Sequence, residues 1–229
     1  LEVPLVIDMG MRVGPATGMP TWTEQGELQF IIHAGHGEFA RIVLAPADAT
    51  ESYELTIKAF NLAEQFHVPV FILTDKYLNE SQWCVAALRM RGEVSIDRGK
   101  VMPAQVSPSE KSFKRYDLIA PDGVSARSFP GMKGGQYVAN SYEHDELGYA
   151  TEISEERVKQ MNKRLKKLET VLKNNDVIAP QVFGPKTAKT TLVSWGSNKG
   201  AILDALPQLP DTNYLHFSWM WPFPEAPFR

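Results

Sequence analysis

Short apolar runs alternate with polar, turn-rich stretches in the first third of the chain. Three of these runs have the length and the Val and Ile content of buried strands: "VPLVID" (residues 3–8), "RIVLA" (residues 41–45) and "VPVFILTD" (residues 68–75). The stretch between the second and third runs changes to a helical period. A strand, a helix and a strand joined by short links form a βαβ unit, so we predict parallel strands in one sheet.

The predicted helix of this unit covers residues 46–66. Asp48 is a suitable N-terminal cap, and Glu51 three residues later completes a capping-box pattern. The helix has to end before Pro69, because the residue preceding a proline disfavours helical backbone. Its predicted buried face consists of Tyr53, Ile57, Phe60 and Ala63.

A second helix is predicted for "SEERVKQMNKRLKKLETVLKNN" (residues 154–175), with Ser154 as its N-terminal cap. Glu155 and Glu156 suit the positive end of the helix dipole. Its predicted buried stripe consists of Val158, Met161, Leu165, Leu168 and Leu172. The basic face is either a solvated surface, which we favour, or a site for acidic ligands.

A smaller α/β unit follows, with "TTLVSW" as a strand, "GSNKG" as a turn, "AILDAL" as a helix and "NYLHFSW" as a strand. The Gly-, Pro- and Ser-rich stretch of residues 100–148 retains recurring aromatic residues, which indicates an ordered loop. The predicted fold class is therefore α/β, with a doubly wound, mostly parallel sheet and a domain boundary near residues 180–186.

The composition restricts the class of function. The net charge over 229 residues is −3, so no basic field favours nucleic-acid binding. The single cysteine allows neither an internal disulfide nor an iron–sulfur cluster held by this chain alone, and it predicts a reducing, cytoplasmic location. No apolar run is long enough to predict a membrane span. Because the chain begins without Met and stops in a Pro-rich stretch, we expect a longer polypeptide at both ends.

The stretch "RVGPATGMPTWTEQGEL" (residues 12–28) is the first candidate for chemistry, because it follows a predicted parallel strand. Open α/β sheets bind ligands at that position. Arg12 provides a permanent cation, and Thr17, Thr21 and Thr23 provide hydroxyl groups. A guanidinium with neighbouring hydroxyls suits a small carboxylate. A surface turn whose hydroxyls bond their own backbone is the alternative.

Other candidate features are less specific. His33 and His36 lie close to Glu38, but a metal site requires further strong ligands, so no metal site is predicted. The turn "WGSNKG" either holds a phosphate at a helix N-terminus or only connects a strand to a helix. Cys84 is predicted to be a small buried side chain.

The chain resembles a known family through six blocks that occur in order: "RVGPATGMPTWTEQGEL", "GHGEFARIVLAP", "ELTIKAFNLAEQFHVPVFILTD", "DGVSARSFPG", "EHDELG" and "WGSNKGAILDAL". These blocks are similar to the α subunit of the 2-oxoacid:ferredoxin oxidoreductases. That family uses thiamine diphosphate to decarboxylate 2-oxoacids oxidatively to acyl-CoA. The resemblance covers nearly the whole chain.

The resemblance implies a domain plan. Residues 1–111 correspond to the C-terminal half of a pyrimidine-binding domain, and residues 112–184 to a crossover loop and a linker helix. Residues 185–229 correspond to the start of a transketolase-C-terminal-like domain.

By resemblance, Arg12 and Thr21 contact the 2-oxoacid. Further candidates for substrate contact are Thr17, Glu24, His36 and Glu38. The family bend Gly-Gly-Pro-Ser-Thr-Gly is changed at Val13 and Ala16, and Met11 replaces a usual Gln. No catalytic residue is assigned to this chain, which is expected to be inactive alone.

The same resemblance implies cofactors and partners. Thiamine diphosphate with Mg²⁺ is shared with a β subunit that carries the diphosphate and iron–sulfur sites, coenzyme A is a co-substrate, and ferredoxin accepts the electrons. A large interface with the β subunit and with a second copy of this chain is also expected, since "YLHFSWMWPFP" and the helix from residue 154 carry many large apolar side chains. The rival hypotheses are a non-catalytic interaction subunit of the same fold and a thiamine enzyme that works without ferredoxin.

Overall fold

The computed structural model describes residues 1–88, 91–103, 113–174 and 176–224. The strands within these ranges are β1 (Leu5–Met11), β2 (Ile42–Leu44), β3 (Pro69–Asp75), β4 (Gln181–Phe183), β5 (Thr190–Trp195), β6 (Thr212–Phe217) and β7 (Trp219–Trp221). The helices are α1 (Leu28–His33), α2 (Ala49–Phe66), α3 (Lys76–Glu80), α4 (Ser154–Leu172) and α5 (Asn198–Ala205).

The strands form two sheets. The first has the order β1–β3–β2–β7, in which β1, β3 and β2 are parallel and β7 is antiparallel to β2. The second has the order β4–β6–β5, in which β5 and β6 are parallel and β4 is antiparallel to β6. The predicted α/β class and the predicted parallel pairing of β2 with β3 are confirmed.

Both faces of the first sheet are covered, because alternate residues of a strand point to opposite faces. Ile42, Leu44 and Val70 pack with α2 and with Val171 of α4. Val43, Phe71 and Leu73 pack with Ile31 of α1 and with Trp195 of β5. The second sheet therefore contacts the face of the first that carries α1 through Trp195.

Helix α2 begins as predicted, since the Asp48 carboxylate accepts a hydrogen bond from the Glu51 N–H at 2.9 Å. Glu51 reaches back to the Ala47 N–H at 2.9 Å and so completes the cap one residue earlier than expected. Of the four residues predicted to form the buried face of α2, only Ala63 is buried. Phe60 is 56% exposed. The residues that α2 buries are Leu55, Ala59, Leu62, Ala63 and Phe66.

Helix α4 differs more from its prediction. Ile153 is the cap residue and Ser154 is already helical, so the predicted Ser154 cap is wrong. Val158 and Leu172 of the predicted stripe are exposed. The residues that α4 buries are Gln160, Lys163, Lys167 and Val171. The prediction of a solvated basic face is therefore wrong for the two buried lysines.

The two buried lysines of α4 have a carboxylate partner. Lys163 Nζ lies 2.7 Å from Glu2 Oε1 and Lys167 Nζ lies 2.5 Å from Glu2 Oε2. Arg115 also donates to the Glu2 carbonyl at 2.6 Å. Burial tends to raise the pKa of Glu2, but the two lysines lower it far below its ordinary value.

Most of the apolar run that suggested an interface is buried within the chain, although Phe223 is 44% exposed. Tyr214 and Trp219 are at most 1% exposed, and Phe217 is 8% exposed. That argument for an interface is therefore wrong for these side chains. The predicted burial of Cys84 is also wrong, because this residue is exposed.

The domain division stays a prediction, and its boundary at residue 111 lies outside the described residues. Strand β7 follows the strands of the second sheet in the chain but pairs with β2 of the first. Among the described residues, no helix has the length and apolar character needed to cross a membrane.

Candidate functional site

The segment between β1 and α1, residues 12–27, is called the glycine loop here. It leaves the first sheet at the carboxyl end of its parallel strands. Met11, the last residue of β1, is in register with Asp75, the last residue of β3. The loop therefore begins at the sheet edge where α/β folds place their ligands.

The bend of the glycine loop has a defined backbone. The Gly18 N–H donates to the Pro15 carbonyl at 2.9 Å, and the Met19 N–H donates to the Val13 carbonyl at 3.0 Å. Gly18 has a φ of +33°, and a Cβ atom there would lie 2.3 Å from the Val13 carbonyl oxygen. Only glycine fits this close approach, so the bend is sterically specified.

Two carboxylates hold the start of the glycine loop through its backbone. Glu24 Oε2 accepts a hydrogen bond from the Gly14 N–H at 3.1 Å. Glu27 Oε1 accepts one from the Arg12 N–H at 3.4 Å. The carboxylate of Glu24, a predicted candidate for substrate contact, is therefore engaged by the loop itself.

The Thr23 hydroxyl accepts a hydrogen bond from the Tyr77 N–H at 3.4 Å, whereas the other predicted groups stay available to a ligand. Arg12, Thr17 and Thr21 are all exposed. Within the described part of the chain, the Arg12 guanidinium has neither a hydrogen-bond nor an ion-pair partner. A guanidinium in this state can bind a carboxylate through two parallel hydrogen bonds.

A cleft of about 570 Å³ lies against the glycine loop. Its lining residues are Met9, Gly14, Ala16, Glu24, Gly26, Glu27 and Phe30. Met9 and Phe30 give the cleft an apolar wall next to the backbone of the glycine-containing bend. This combination suits a ligand with both a flat apolar part and a polar part.

Three chain segments meet at Gln25, near the end of the glycine loop. The Gln25 Nε2 group donates to the Trp195 carbonyl at 3.1 Å and to Asp75 Oδ2 at 3.4 Å. Gln25 Oε1 accepts a hydrogen bond from Asn198 Nδ2 at 2.7 Å. Ser197 Oγ also donates to Asp75 Oδ2. We call these five residues the Gln25 junction.

Next to the junction, Glu51 connects α2 to α5 and β6. Its carboxylate pairs with Lys199 of α5, and its Oε2 lies 3.6 Å from His216 Nε2. His216 Nδ1 lies 2.8 Å from the Tyr214 hydroxyl, which in turn lies 2.9 Å from Ser194 Oγ. Burial tends to raise the pKa of Glu51, but His216, Lys199 and the Ala47 N–H lower it to about 2.

The remaining predicted residues lie elsewhere. His36 and Glu38 are exposed and belong to the segment between α1 and β2. Glu38 lines a different cavity, of about 440 Å³, together with Leu5 and Pro69 at the amino ends of β1 and β3. The structure thus places Glu38 at the sheet edge opposite the glycine loop. The described residues contain no group of three or more His, Cys, Asp or Glu side chains suited to a metal ion.

The sequence analysis did not predict the contacts of the Gln25 junction. Gln25 lies inside the predicted substrate loop, but its partners Asp75, Trp195 and Asn198 are 50, 170 and 173 residues away. The only signals were the position of Asp75 at a strand end and the glycine of "WGSNKG". Neither signal indicates a partner for Gln25.

Comparisons with known proteins agree with this geometry. Residues 1–163 match the family described as pyruvate flavodoxin/ferredoxin oxidoreductase, thiamine diphosphate-binding. The chain is 39% identical over 210 residues to the 2-oxoacid:ferredoxin oxidoreductase subunit alpha of Saccharolobus solfataricus, covering 91% of this chain and 32% of that protein. It is 38% identical over 229 residues to the 2-oxoacid:ferredoxin oxidoreductase 2, subunit alpha of Aeropyrum pernix, covering 97% and 35% respectively.

A solved structure is also similar. It is 2-oxoglutarate:ferredoxin oxidoreductase from Magnetococcus marinus with 2-oxoglutarate, coenzyme A and succinyl-CoA bound, and the match has a TM-score of 0.87 at 28% identity. It covers 99% of this chain and 39% of that one. This chain spans about a third of the length of the two curated relatives. The resemblance seen in the sequence is confirmed, and the chain belongs to the thiamine diphosphate-binding family of pyruvate flavodoxin/ferredoxin oxidoreductases.

Proposed function

We propose that this chain is part of the α subunit of a 2-oxoacid:ferredoxin oxidoreductase. The complete enzyme would decarboxylate a 2-oxoacid oxidatively to acyl-CoA and reduce ferredoxin. The observation that carries this proposal is the exposed Arg12 guanidinium, which has no partner among the described residues and follows a parallel strand on a fixed glycine bend.

Arg12 and Thr21 would bind the carboxylate of the substrate. A planar guanidinium donates two hydrogen bonds to a carboxylate, and a hydroxyl group adds a third donor. The fixed bend allows backbone and ligand to approach closely, because Gly14 and Gly18 carry no side chain there. These contacts would orient the substrate and neutralise its charge until carbon dioxide is released.

The cleft beside the glycine loop fits part of a thiamine cofactor. Its apolar side chains Met9 and Phe30 suit an aromatic ring, and its polar wall suits ring substituents. When bound, thiamine diphosphate supplies the electron sink that decarboxylation of a 2-oxoacid requires. We propose, from the family resemblance, that the β subunit holds the diphosphate, Mg²⁺ and the iron–sulfur cluster.

The predicted domain plan and the cytoplasmic location belong to the same proposal. Residues 1–111, 112–184 and 185–229 would be parts of a pyrimidine-binding domain, a linker and a transketolase-C-terminal-like domain. The proposed partners are the β subunit, a second α subunit and ferredoxin, with coenzyme A as co-substrate.

Activity of the full-length polypeptide tests the proposal. The α polypeptide is produced alone and with its β subunit, then supplied with thiamine diphosphate, Mg²⁺, coenzyme A and a viologen dye. Pyruvate, 2-oxoglutarate and a branched-chain 2-oxoacid are tested as substrates. We expect dye reduction and acyl-CoA formation only in the two-subunit sample. A two-subunit complex that converts none of these 2-oxoacids would favour the non-catalytic subunit instead.

A further inference from the structure

The amide of Gln25 connects the glycine loop to two segments that are distant in the sequence, the end of β3 and residues 195–198. Its nitrogen faces two acceptors, the Trp195 carbonyl at the end of β5 and the Asp75 carboxylate at the end of β3. Its oxygen faces one donor, the Asn198 amide at the start of α5. Gln25 itself lies only four residues after Thr21, so this contact is part of the proposed substrate loop.

The partners of Gln25 require an amide at this position. A glutamate would bring a second carboxylate towards Asp75 and the Trp195 carbonyl, and both contacts would become repulsive. A methionine has a similar length but neither donates nor accepts a strong hydrogen bond. Substitution by methionine therefore removes the connection while it keeps most of the side-chain volume.

The turn that receives Gln25 leaves space for it. Gly196 has a φ of +66°, and a Cβ atom there would lie 2.6 Å from Gln25 Nε2. This turn and the first residues of α5 are also held by other contacts, since Ser197 donates to Asp75 and Lys199 pairs with Glu51 of α2. The turn is thus fixed to the first sheet independently of Gln25, which makes it a firm support for the loop.

We propose that Gln25 is a positioning residue, which holds the glycine loop against residues 195–198 at the start of α5 and thereby sets the geometry of Arg12 and Thr21. This inference rests on the proposed function of the loop. It assigns to the second sheet, through the Trp195 carbonyl, a role in substrate binding. A loss of this connection weakens binding of the 2-oxoacid and leaves the chemical step intact.

The test uses the assembled enzyme with the full-length α polypeptide and compares Gln25→Met with Gln29→Met. Gln29 is an exposed residue of α1, which makes it a matched control. For Gln25→Met we expect a KM for the 2-oxoacid that rises roughly tenfold with kcat within about twofold of wild type. Gln29→Met should keep both constants.

A second measurement follows the loop directly. Hydrogen exchange of the peptide that covers residues 12–24 should increase in Gln25→Met, while peptides from β2 and β3 keep their wild-type exchange. Asn198→Ala should raise exchange in the same loop peptide. Because both changes break one connection, the double variant should be no worse than Gln25→Met alone.

Two results would overturn the inference. The first is a Gln25→Met enzyme with wild-type KM and wild-type loop exchange. The second is increased exchange throughout the sheet with a lower melting temperature, which would mean a general structural role. If the wild-type complex converts no 2-oxoacid, the proposed function fails, and loop exchange alone then decides whether Gln25 holds the loop.

Discussion

Arg12 combines a fixed backbone with an uncommitted side chain. Its N–H is held by Glu27, whereas its guanidinium is exposed and makes no ion pair with any described residue. Surface arginines often cover apolar area or pair with a neighbouring carboxylate. Since the nearby carboxylates Glu24 and Glu27 are engaged by backbone N–H groups, the Arg12 charge remains available for an anionic ligand.

Replacing Arg12 by Met or Ala in the assembled enzyme should raise the substrate KM by about ten- to a hundredfold, because hydrogen bonds to charged groups contribute roughly 1.5–3 kcal/mol. Arg12→Lys should restore binding only in part, since an ammonium group cannot donate the two parallel hydrogen bonds of a planar guanidinium. Thr21→Val should cause a smaller increase, because it removes a neutral donor. Steady-state kinetics with a 2-oxoacid and a dye acceptor measure these effects.

The control for Arg12 is Arg157→Met, at an exposed position of α4 far from the loop in sequence. This variant should keep the wild-type KM. Melting curves of all variants should overlap, because the loop lies outside the apolar core. An Arg12→Met enzyme with wild-type kinetics would mean that residues 12–27 are only a surface turn.

Among the elements, the strands followed the sequence pattern most closely. The predicted strand of residues 190–195 matches β5, and the Asp48 cap of α2 was also correct. These features depend on local signals, namely β-branched residues in a short apolar run and a carboxylate before a helix. The glycine loop was recognisable for the same reason, since glycine, proline and threonine cluster directly after a strand.

The buried face of α4 shows where local signals fail. Periodicity assigns burial to apolar residues, but Lys163 and Lys167 are buried because Glu2 neutralises them from the other end of the chain. The Gln25 junction escaped prediction for a similar reason. The sequence around a polar side chain does not indicate which distant group will be its hydrogen-bond partner. Such contacts can be identified only in the three-dimensional structure.

Lys167 offers a test of this buried ion pair. Lys167→Met should destabilise the protein by roughly 3 kcal/mol, because it leaves Glu2 with one lysine in a buried site. Lys166→Met, one position away on the exposed side of α4, should change stability by less than about 0.5 kcal/mol. Urea unfolding followed by tryptophan fluorescence compares the two. Equal stability of both variants would contradict a structural role for the pair.

At the scale of the whole molecule, ion pairs join segments that are far apart in the sequence. The carboxylates with a lowered pKa are Glu2, Glu51, Asp122, Glu143 and Glu146. Their cationic partners are Lys163 and Lys167, Lys199, Lys100, Arg164 and Lys114 respectively. Burial opposes the lower pKa in each case, and the hydrogen-bonding or cationic partner outweighs it.

These carboxylates predict a protein that loses stability in acid. A group whose pKa is lower in the folded state stabilises the fold above its unfolded pKa and loses that contribution as the pH falls. For Glu51 the window runs from 4.5 in the unfolded chain to about 2 in the folded protein. That shift corresponds to about 3 kcal/mol, of which about 2 kcal/mol should be lost between pH 6 and pH 3.

Glu51→Gln separates this contribution from the others. The variant should be less stable than wild type at pH 6, and the difference should shrink by about 2 kcal/mol at pH 3, where Glu51 is largely protonated in the unfolded chain. Glu169→Gln, at an exposed position of α4, serves as the control and should follow the wild-type curve. Urea unfolding at both pH values gives the free energies. If the wild-type and Glu51→Gln curves stay parallel, the bridge of Glu51 with Lys199 and His216 does not stabilise the fold through the Glu51 charge.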